Sequence, residues 1–184
     1  MKAGSDLPEE LLGRPVAGLN LAPGLLRDQL DPDFTLIVFL RHFGCMFCRE
    51  TLSDIREASE KDDGFPTPLF FFQGTPTEGR AFLRRYWPGL RAVADPRAEF
   101  YDAFGVGRGG LIKMLGPAVW SAKARAEAKG HHNGERMNDI WRMPGLFLIR
   151  GRNVLWSHDY RHAADQPDYQ LISKIAAESL EKSI

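Results

Sequence analysis

Ten residues carry the most chemistry in this chain: RHFGCMFCRE, at positions 41 to 50. Cys45 and Cys48 are the only cysteines, separated by two apolar residues and framed by Arg41, His42 and Arg49. Such a pair has three readings: a metal clip, a structural staple, or two reactive thiols. Two cysteines in 184 residues make no disulfide scaffold, and in a reducing compartment a close pair is more often catalytic, redox-sensing or metal-bound. A zinc site needs about four ligands, and one C-x-x-C supplies two. His131 and His132 fall in a polar run and His158 and His162 near a strand end, with no second ligand pair at diagnostic spacing, so no metal is expected.

The elements around the pair decide its chemistry. Residues 34 to 40 (FTLIVFL) form a continuous apolar run of strand formers, as in a strand buried on both faces of a mostly parallel sheet. From Cys45 the apolar positions Cys48, Leu52 and Ile55 recur at helical spacing, which predicts an amphipathic helix to about Lys61. Cys48 then lies on the buried stripe and Cys45 at the exposed N-terminus. A thiol there meets unpaired backbone N–H groups and the positive end of the helix dipole, so its pKa should fall. Cys45 is the candidate nucleophile. Cys48, about one turn on, would attack a sulfenic acid or mixed disulfide on Cys45.

Further elements follow along the chain. Pro68 to Gln73 reads as a second buried strand, then Thr75, Pro76 and Glu78 as the capping box of a helix through Tyr86 that stops near Pro88. Leu90 to Ala94 is a shorter strand. Asp95 and Pro96 open a helix carrying Phe100, Tyr101 and Phe104, ended by Gly105. Between Arg108 and Arg142 glycines, Pro117 and the run KGHHNGER interrupt any single period; a helix near 118 to 129 and then a mobile loop are expected. Leu146 to Ile149 and Val154 to Ser157 predict an antiparallel hairpin. A last helix covers about Pro167 to Lys182, with Leu171, Ile172, Ile175, Ala176 and Leu180 inward.

The predicted fold is therefore α/β: a central mixed sheet flanked by helices, with a parallel βαβ core closed by a hairpin and a helix. With 43% hydrophobic residues the chain can bury one good core, and one domain over 1 to 184 is the default, comprising an N-terminal extension (1 to 33) and an insertion (108 to 142). Lys plus Arg and Asp plus Glu are 24 each, so no net field favours nucleic acid or anionic lipid. No apolar run has the length of a leader or a membrane span, and a cytoplasmic protein is expected.

Four segments, FLRHFGCMFCRE, VADPRAEFYDAFGV, GLFLIRGRNVLWSH and YRHAADQPDYQLI, make the chain resemble the AhpC/TSA-type peroxiredoxin-like family of the thioredoxin superfamily, over about Leu11 to Leu180. The resemblance implies a thioredoxin-like fold and thiol-dependent reduction of peroxides or disulfides. It implies no bound cofactor, and as partners an external thiol reductant (a thioredoxin-like protein or a small thiol), with room for a homodimer. It also places Met143 and Pro144 where such folds carry a cis-proline beside the active cysteines. A cis bond there would set the backbone of Met143 against Cys45 as an open edge for an extended substrate, with Arg142 able to steer a peroxide or a partner. One departure stands out. The family's peroxidatic motif has a threonine or serine three residues before the reactive cysteine and a proline seven before; here those positions are His42 and Val38. The C-x-x-C spacing suits dithiol exchange better. The alternative from another class is a non-catalytic thioredoxin-fold module for dimerisation or protein recognition.

Overall fold

A computed structural model describes residues 1–135 and 137–181. Chain order begins with α1 (Glu9–Leu12), β1 (Pro15–Val16), β2 (Gly18–Leu19), β3 (Gly24–Leu25) and a 3-10 turn at Leu26–Gln29. It continues with β4 (Thr35–Phe39), α2 (Met46–Lys61), β5 (Thr67–Phe72), α3 (Pro76–Leu83), β6 (Ala92–Ala94) and α4 (Glu99–Phe104). The remainder is α5 (Leu111–Leu115), α6 (Pro117–Ala128), β7 (Gly145–Arg150), β8 (Asn153–Ser157) and α7 (Tyr169–Glu181).

The main sheet has the order β2-β6-β5-β4-β7-β8. Strands β4, β5 and β6 run parallel; β7 is antiparallel to β4, β8 to β7 and β2 to β6. The mixed sheet expected from the sequence is thus present, and the stretch before residue 34 supplies one edge strand. Every residue of β4 is buried, because both sheet faces are covered. On one side Leu36, Val38, Phe70 and Phe72 pack with Leu52 and Ile55 of α2 and with Ile172 and Ala176 of α7. On the other Ile37, Phe39, Leu69 and Phe71 pack with Tyr101 and Phe104 of α4 and with α1. This alternation of β4 residues between two cores is the physical meaning of its unbroken apolar run.

Local signals mostly hold. Glu78 N–H donates to Thr75 Oγ1 and Thr75 N–H to Glu78 Oε2, at 3.3 and 2.7 Å, so the capping box is real. Helix α3 ends at Leu83, short of Tyr86, where Tyr86 and Trp87 N–H groups both turn back to the Leu83 carbonyl. Helix α4 begins only at Glu99, because the Asp95 carboxylate accepts from the N–H groups of Glu99 and Phe100 across an intervening left-handed Ala98. Gly105, at φ 74°, closes it in the left-handed conformation that glycine permits.

Two sequence expectations fail here. Leu171 and Leu180 are exposed, 44% and 41%. Ile172 and Ala176, four apart, form the inward stripe of α7 with Ile175 beside them; Leu171, one position before Ile172, is rotated about 100° away, whereas Leu180 continues the stripe and is exposed in the last turn of the helix. Lys182 lies outside the described residues. Between 108 and 142 there are two helices rather than one, since α5 precedes α6. Its five residues carry Leu111, Ile112 and Leu115 outward, so it lacks the buried stripe that signals a helix.

A thiol pair gripped by one arginine

Strand β4 delivers the chain to the site. After Phe39 the backbone leaves the sheet, Cys45 N–H turns back onto the His42 carbonyl at 3.1 Å, and Cys45 is the N-cap of α2. The sulfur of Cys45 does not cap the helix. Asn133 does so instead, accepting from Met46 N–H at 3.2 Å, and Gly134 N–H donates to the Gly44 carbonyl at 2.9 Å. The two segments touch so closely that a Cβ on Gly44 would lie 1.9 Å from the Glu135 carbonyl oxygen. Only glycine fits there.

This contact corrects the expected exposure of Cys45. Both cysteines are buried, at 2% and 4%. A helix N-terminus is exposed only when nothing crosses it, and residues 133–135 cross this one.

Arg41 organises the sulfurs. Its Nη1 donates to Cys45 Sγ at 3.2 Å and its backbone N–H to Cys48 Sγ at 3.2 Å. The guanidinium is itself fixed, with Nε donating to the Arg142 carbonyl at 2.9 Å and Nη2 to the Ile140 carbonyl at 2.8 Å. Gln73, just beyond the end of β5, donates to the Arg41 carbonyl and, at 3.2 Å, to that of Asp139. Arg41 and Gln73 thus sit past the carboxyl ends of two parallel strands, a usual place for ligands in open α/β sheets.

The two thiols are driven apart in acidity. Cys45 is lowered from 9.0 to about 6: the hydrogen bond from Cys48 is the largest cause, the Arg41 charge adds to it, and burial opposes. First-turn N–H groups of Cys48 and Phe47 contribute in the same direction, though neither makes a capping hydrogen bond to the sulfur. Cys48 is pushed well up, first by burial and then by its bond to the neighbouring sulfur. A pair of titratable groups separated in this way has distinct nucleophile and proton-bearing roles.

The remaining sequence candidates divide. His42 is buried, gives its carbonyl to Cys45 and lines the pocket described below. Arg49 points away, donating to the His132 carbonyl at 2.7 Å and lying over the rings of Phe82 and Tyr86. Arg142 also turns aside: its Nη1 donates to Asp102 and to the Val106 carbonyl, so only its carbonyl serves the site, through Arg41. No described peptide bond is cis, so the Met143–Pro144 bond is trans. Met143 N–H is taken by the Gly107 carbonyl at 2.9 Å, as the stems of the 108–142 segment pair with each other. The N–H of the expected open edge is therefore taken by the chain's own backbone. Pro144 packs behind Cys48, lining a void of about 10 Å³ with Tyr160 and Ala163.

Sequence reasoning missed Gln73, Met114 and Asn133. A polar residue closing the apolar run PLFFF was a usable signal for Gln73; Asn133, inside a run read as a loop, offered none. Among the described residues no group of three or more His, Cys, Asp and Glu side chains comes together to hold a metal.

Beside Cys45 opens a pocket of about 340 Å³, bounded by Arg41, His42 and Met46 on one side and by Met114, Leu115, Val119 and Trp120 on the other. A buried low-pKa thiol, a second thiol one turn on, an arginine donor and a pocket together make a site for thiol redox chemistry.

Residues 52–162 match the model of the AhpC/TSA antioxidant enzyme family. The chain belongs to that family. The matched stretch begins after both cysteines, so the thiol pair itself rests on the geometry above. No curated protein matches in sequence. Peroxiredoxin Q from Xanthomonas campestris is similar in fold at 14% identity, with 97% of this chain and 98% of that one covered and a TM-score of 0.66. A cysteine-to-serine mutant of PrxQ from Xylella fastidiosa matches at 12% identity, 100% and 98% coverage and a TM-score of 0.65. A thioredoxin-like protein in its oxidised form matches at 13% identity, 97% and 99% coverage and a TM-score of 0.56. The fold is thioredoxin-like, and the AhpC/TSA family member is a thiol-dependent oxidoreductase. Among the described residues no helix is long and apolar enough to cross a membrane.

Proposed function

We propose that this protein is a thiol peroxidase in which Cys45 is the nucleophile and Cys48 resolves. The observation that carries the reading is the grip of Arg41 on both sulfurs, with Cys45 held as thiolate near neutral pH and Cys48 kept protonated. Cys45 thiolate attacks a peroxide oxygen, the O–O bond breaks, and with uptake of one proton the products are Cys45 sulfenic acid and an alcohol or water. Cys48 thiol then attacks the sulfenic sulfur, a disulfide forms and water leaves. Two equivalents of an external thiol return the dithiol and leave as their own disulfide.

Peroxide is favoured over a protein disulfide on two grounds. Cys45 is reached through a pocket rather than presented on the surface, and the Met143 N–H is already taken by the Gly107 carbonyl. One similar structure, the bacterioferritin comigratory protein of Xanthomonas campestris, is described in terms of alkyl peroxide reduction. The position of the hydroxyl that orients peroxide in the typical motif is His42 here, and the donor nearest the reacting sulfur is the Arg41 guanidinium. Arg41 Nη1 stands against the reacting sulfur, where it can stabilise charge developing on the departing oxygen. As one domain with segment 108–142 folded over the thiols, the chain operates in a reducing, cytoplasmic setting.

Intact mass of the reduced protein after hydrogen peroxide, and after a small oxidised disulfide, tests the reading. Loss of two hydrogens, reversed by a dithiol, absent in Cys45→Ser and faster with peroxide, is the expected result. Faster oxidation by the disulfide would make the protein a dithiol exchanger, and no selective oxidation would leave a non-catalytic recognition module.

A further inference from the structure

Arg41 meets Cys45 only if a long side chain, rich in rotamers when free, is held at both of its ends. The carbonyls that fix its tip belong to Ile140 and Arg142, in and just after a stretch, residues 137–141, that forms no helix or strand. No helix or ladder orders that stretch, so its backbone groups must be fixed by tertiary contacts.

Gln73 supplies them. Strands β4 and β5 are parallel with Phe39 opposite Phe71, so Arg41 and Gln73, each two residues further on, leave the sheet side by side. Gln73 is 5% exposed, and its amide is used at both ends. Nε2 donates to the Arg41 carbonyl and to the Asp139 carbonyl, the latter at 3.2 Å, while Oε1 accepts from Asp139 N–H at 3.3 Å. Two carbonyls face the nitrogen and an N–H faces the oxygen, so the amide has one orientation only. The Gln73 backbone carbonyl accepts from the side chain of Asn138, which stands at φ 64°, a left-handed conformation that asparagine tolerates. The Asp139 carboxylate faces elsewhere, accepting from Trp141 N–H at 3.0 Å and pairing with Arg108 at 3.1 Å. Gln73 therefore meets the backbone of Asp139 and not its charge.

One buried amide thus ties the backbone from which Arg41 starts to the stretch on which its guanidinium ends. We propose that Gln73 is the positioning residue of the thiol site: its amide sets where the Arg41 guanidinium points, and so whether Arg41 reaches the Cys45 sulfur. Gln73 acts through Arg41 and takes no part in the chemistry. This rests on Cys45 as the reacting thiol. A buried polar network of this kind is rigid when every member is satisfied and loosens when one is lost. Without the amide, the carbonyls of Arg41 and Asp139 and the N–H of Asp139 lose a partner, and the support under the guanidinium goes with them.

The acidity of Cys45 reports this role without any oxidant. Thiolate absorbance is followed against pH in the full-length protein for the wild type, Gln73→Leu, Gln73→Asn, Arg41→Met and the two double variants, with urea unfolding of each. Gln73→Leu removes the amide. Gln73→Asn keeps an amide in the buried site but is one methylene too short to span Arg41 and Asp139. Both should raise the Cys45 midpoint, the thiolate fraction at pH 7 falling by up to about tenfold and no further than in Arg41→Met. In the Arg41→Met background the same changes should hardly move the midpoint, because residues that act through one another are not additive. Lowered urea stability with an unmoved Cys45 midpoint, in either folded variant, would make Gln73 a structural residue only and overturn the proposal. An equal shift with and without Arg41 would overturn it as well. Oxidation by hydrogen peroxide, measured alongside, keeps the two readings apart: a wild type that peroxide does not oxidise fails as a peroxidase, while the midpoints still decide the role of Gln73.

Discussion

Replacing Arg41 by Met keeps most of the side-chain volume and removes the guanidinium from Cys45. The lost contact is one charge-assisted hydrogen bond at 3.2 Å in a buried site. Such bonds contribute about 1.5–3 kcal/mol. Divided by about 1.4 kcal/mol per tenfold change in ionisation, this raises the Cys45 pKa from about 6 to between about 7 and 8. At pH 7 the thiolate fraction then falls from about nine-tenths to between half and one-tenth. Oxidation at pH 7 should slow by about two- to tenfold from this cause alone, partly offset because a more basic thiolate is intrinsically more nucleophilic. Any charge that Arg41 gives the departing oxygen is lost as well, and that loss persists at pH 9, where both proteins are thiolates. The assay is the pH dependence of thiolate absorbance in wild type and Arg41→Met, where the lower transition belongs to Cys45 because Cys48 is pushed well up, together with oxidation rates at pH 7 and 9. Circular dichroism checks that the variant folds, since it also removes donors from the Ile140 and Arg142 carbonyls. An unchanged titration midpoint in a folded variant would refute the claim that Arg41 helps to lower the pKa of Cys45.

Three more outcomes follow from the same geometry. Cys48→Ser leaves Cys45 without its resolving partner, so one equivalent of peroxide should produce a sulfenic acid that a dimedone-type reagent labels and mass spectrometry detects; no adduct would count against Cys48 as the resolver. The pKa of Cys45 is depressed on folding, from 9.0 to about 6, so its stabilising contribution is full above about pH 9 and is lost as pH falls through 6. The unfolding free energy of reduced protein from urea titration, measured relative to Cys45→Ser, should rise across that window by no more than about 1.4 kcal/mol per pH unit. Glu50 is fully buried on α2 and accepts from Arg125 at 2.8 and 3.0 Å, with Lys129 at 3.1 Å; removing one partner of a buried ion pair costs about 3–5 kcal/mol. The milder Glu50→Gln should lower stability by about 1–3 kcal/mol and speed amide exchange in α6, whereas unchanged exchange there would mean that the pair does not hold α6 to α2.

The elements that carry the thiols were legible because their signals are local. The run FTLIVFL is apolar at every position since alternate residues enter two different cores, and the helix after it shows its period in Cys48, Leu52 and Ile55. Thr75 and Glu78 announced a helix start through hydrogen bonds three residues apart. The thiol pair and its likeness to the AhpC/TSA family were equally visible, as was the cluster of Arg41, His42 and Arg49 around it, though not which of the three faced the sulfur. That choice depends on where a side chain four residues before Cys45 is anchored, and its anchors, the carbonyls of Ile140 and Arg142, are about a hundred residues away. Burial of Cys45 was hidden for the same reason, since its cover is Asn133 and Gly134, in a stretch with no apolar period. Met143 and Pro144 were found by position, but the pairing of Met143 with Gly107 belongs to the tertiary fold. Spacing along the chain determines what a residue's near neighbours are, so the sequence determined a strand, a helix and two thiols one turn apart. Burial, acidity and access are sums over neighbours distant in the chain, and only folding brought those to the sulfur.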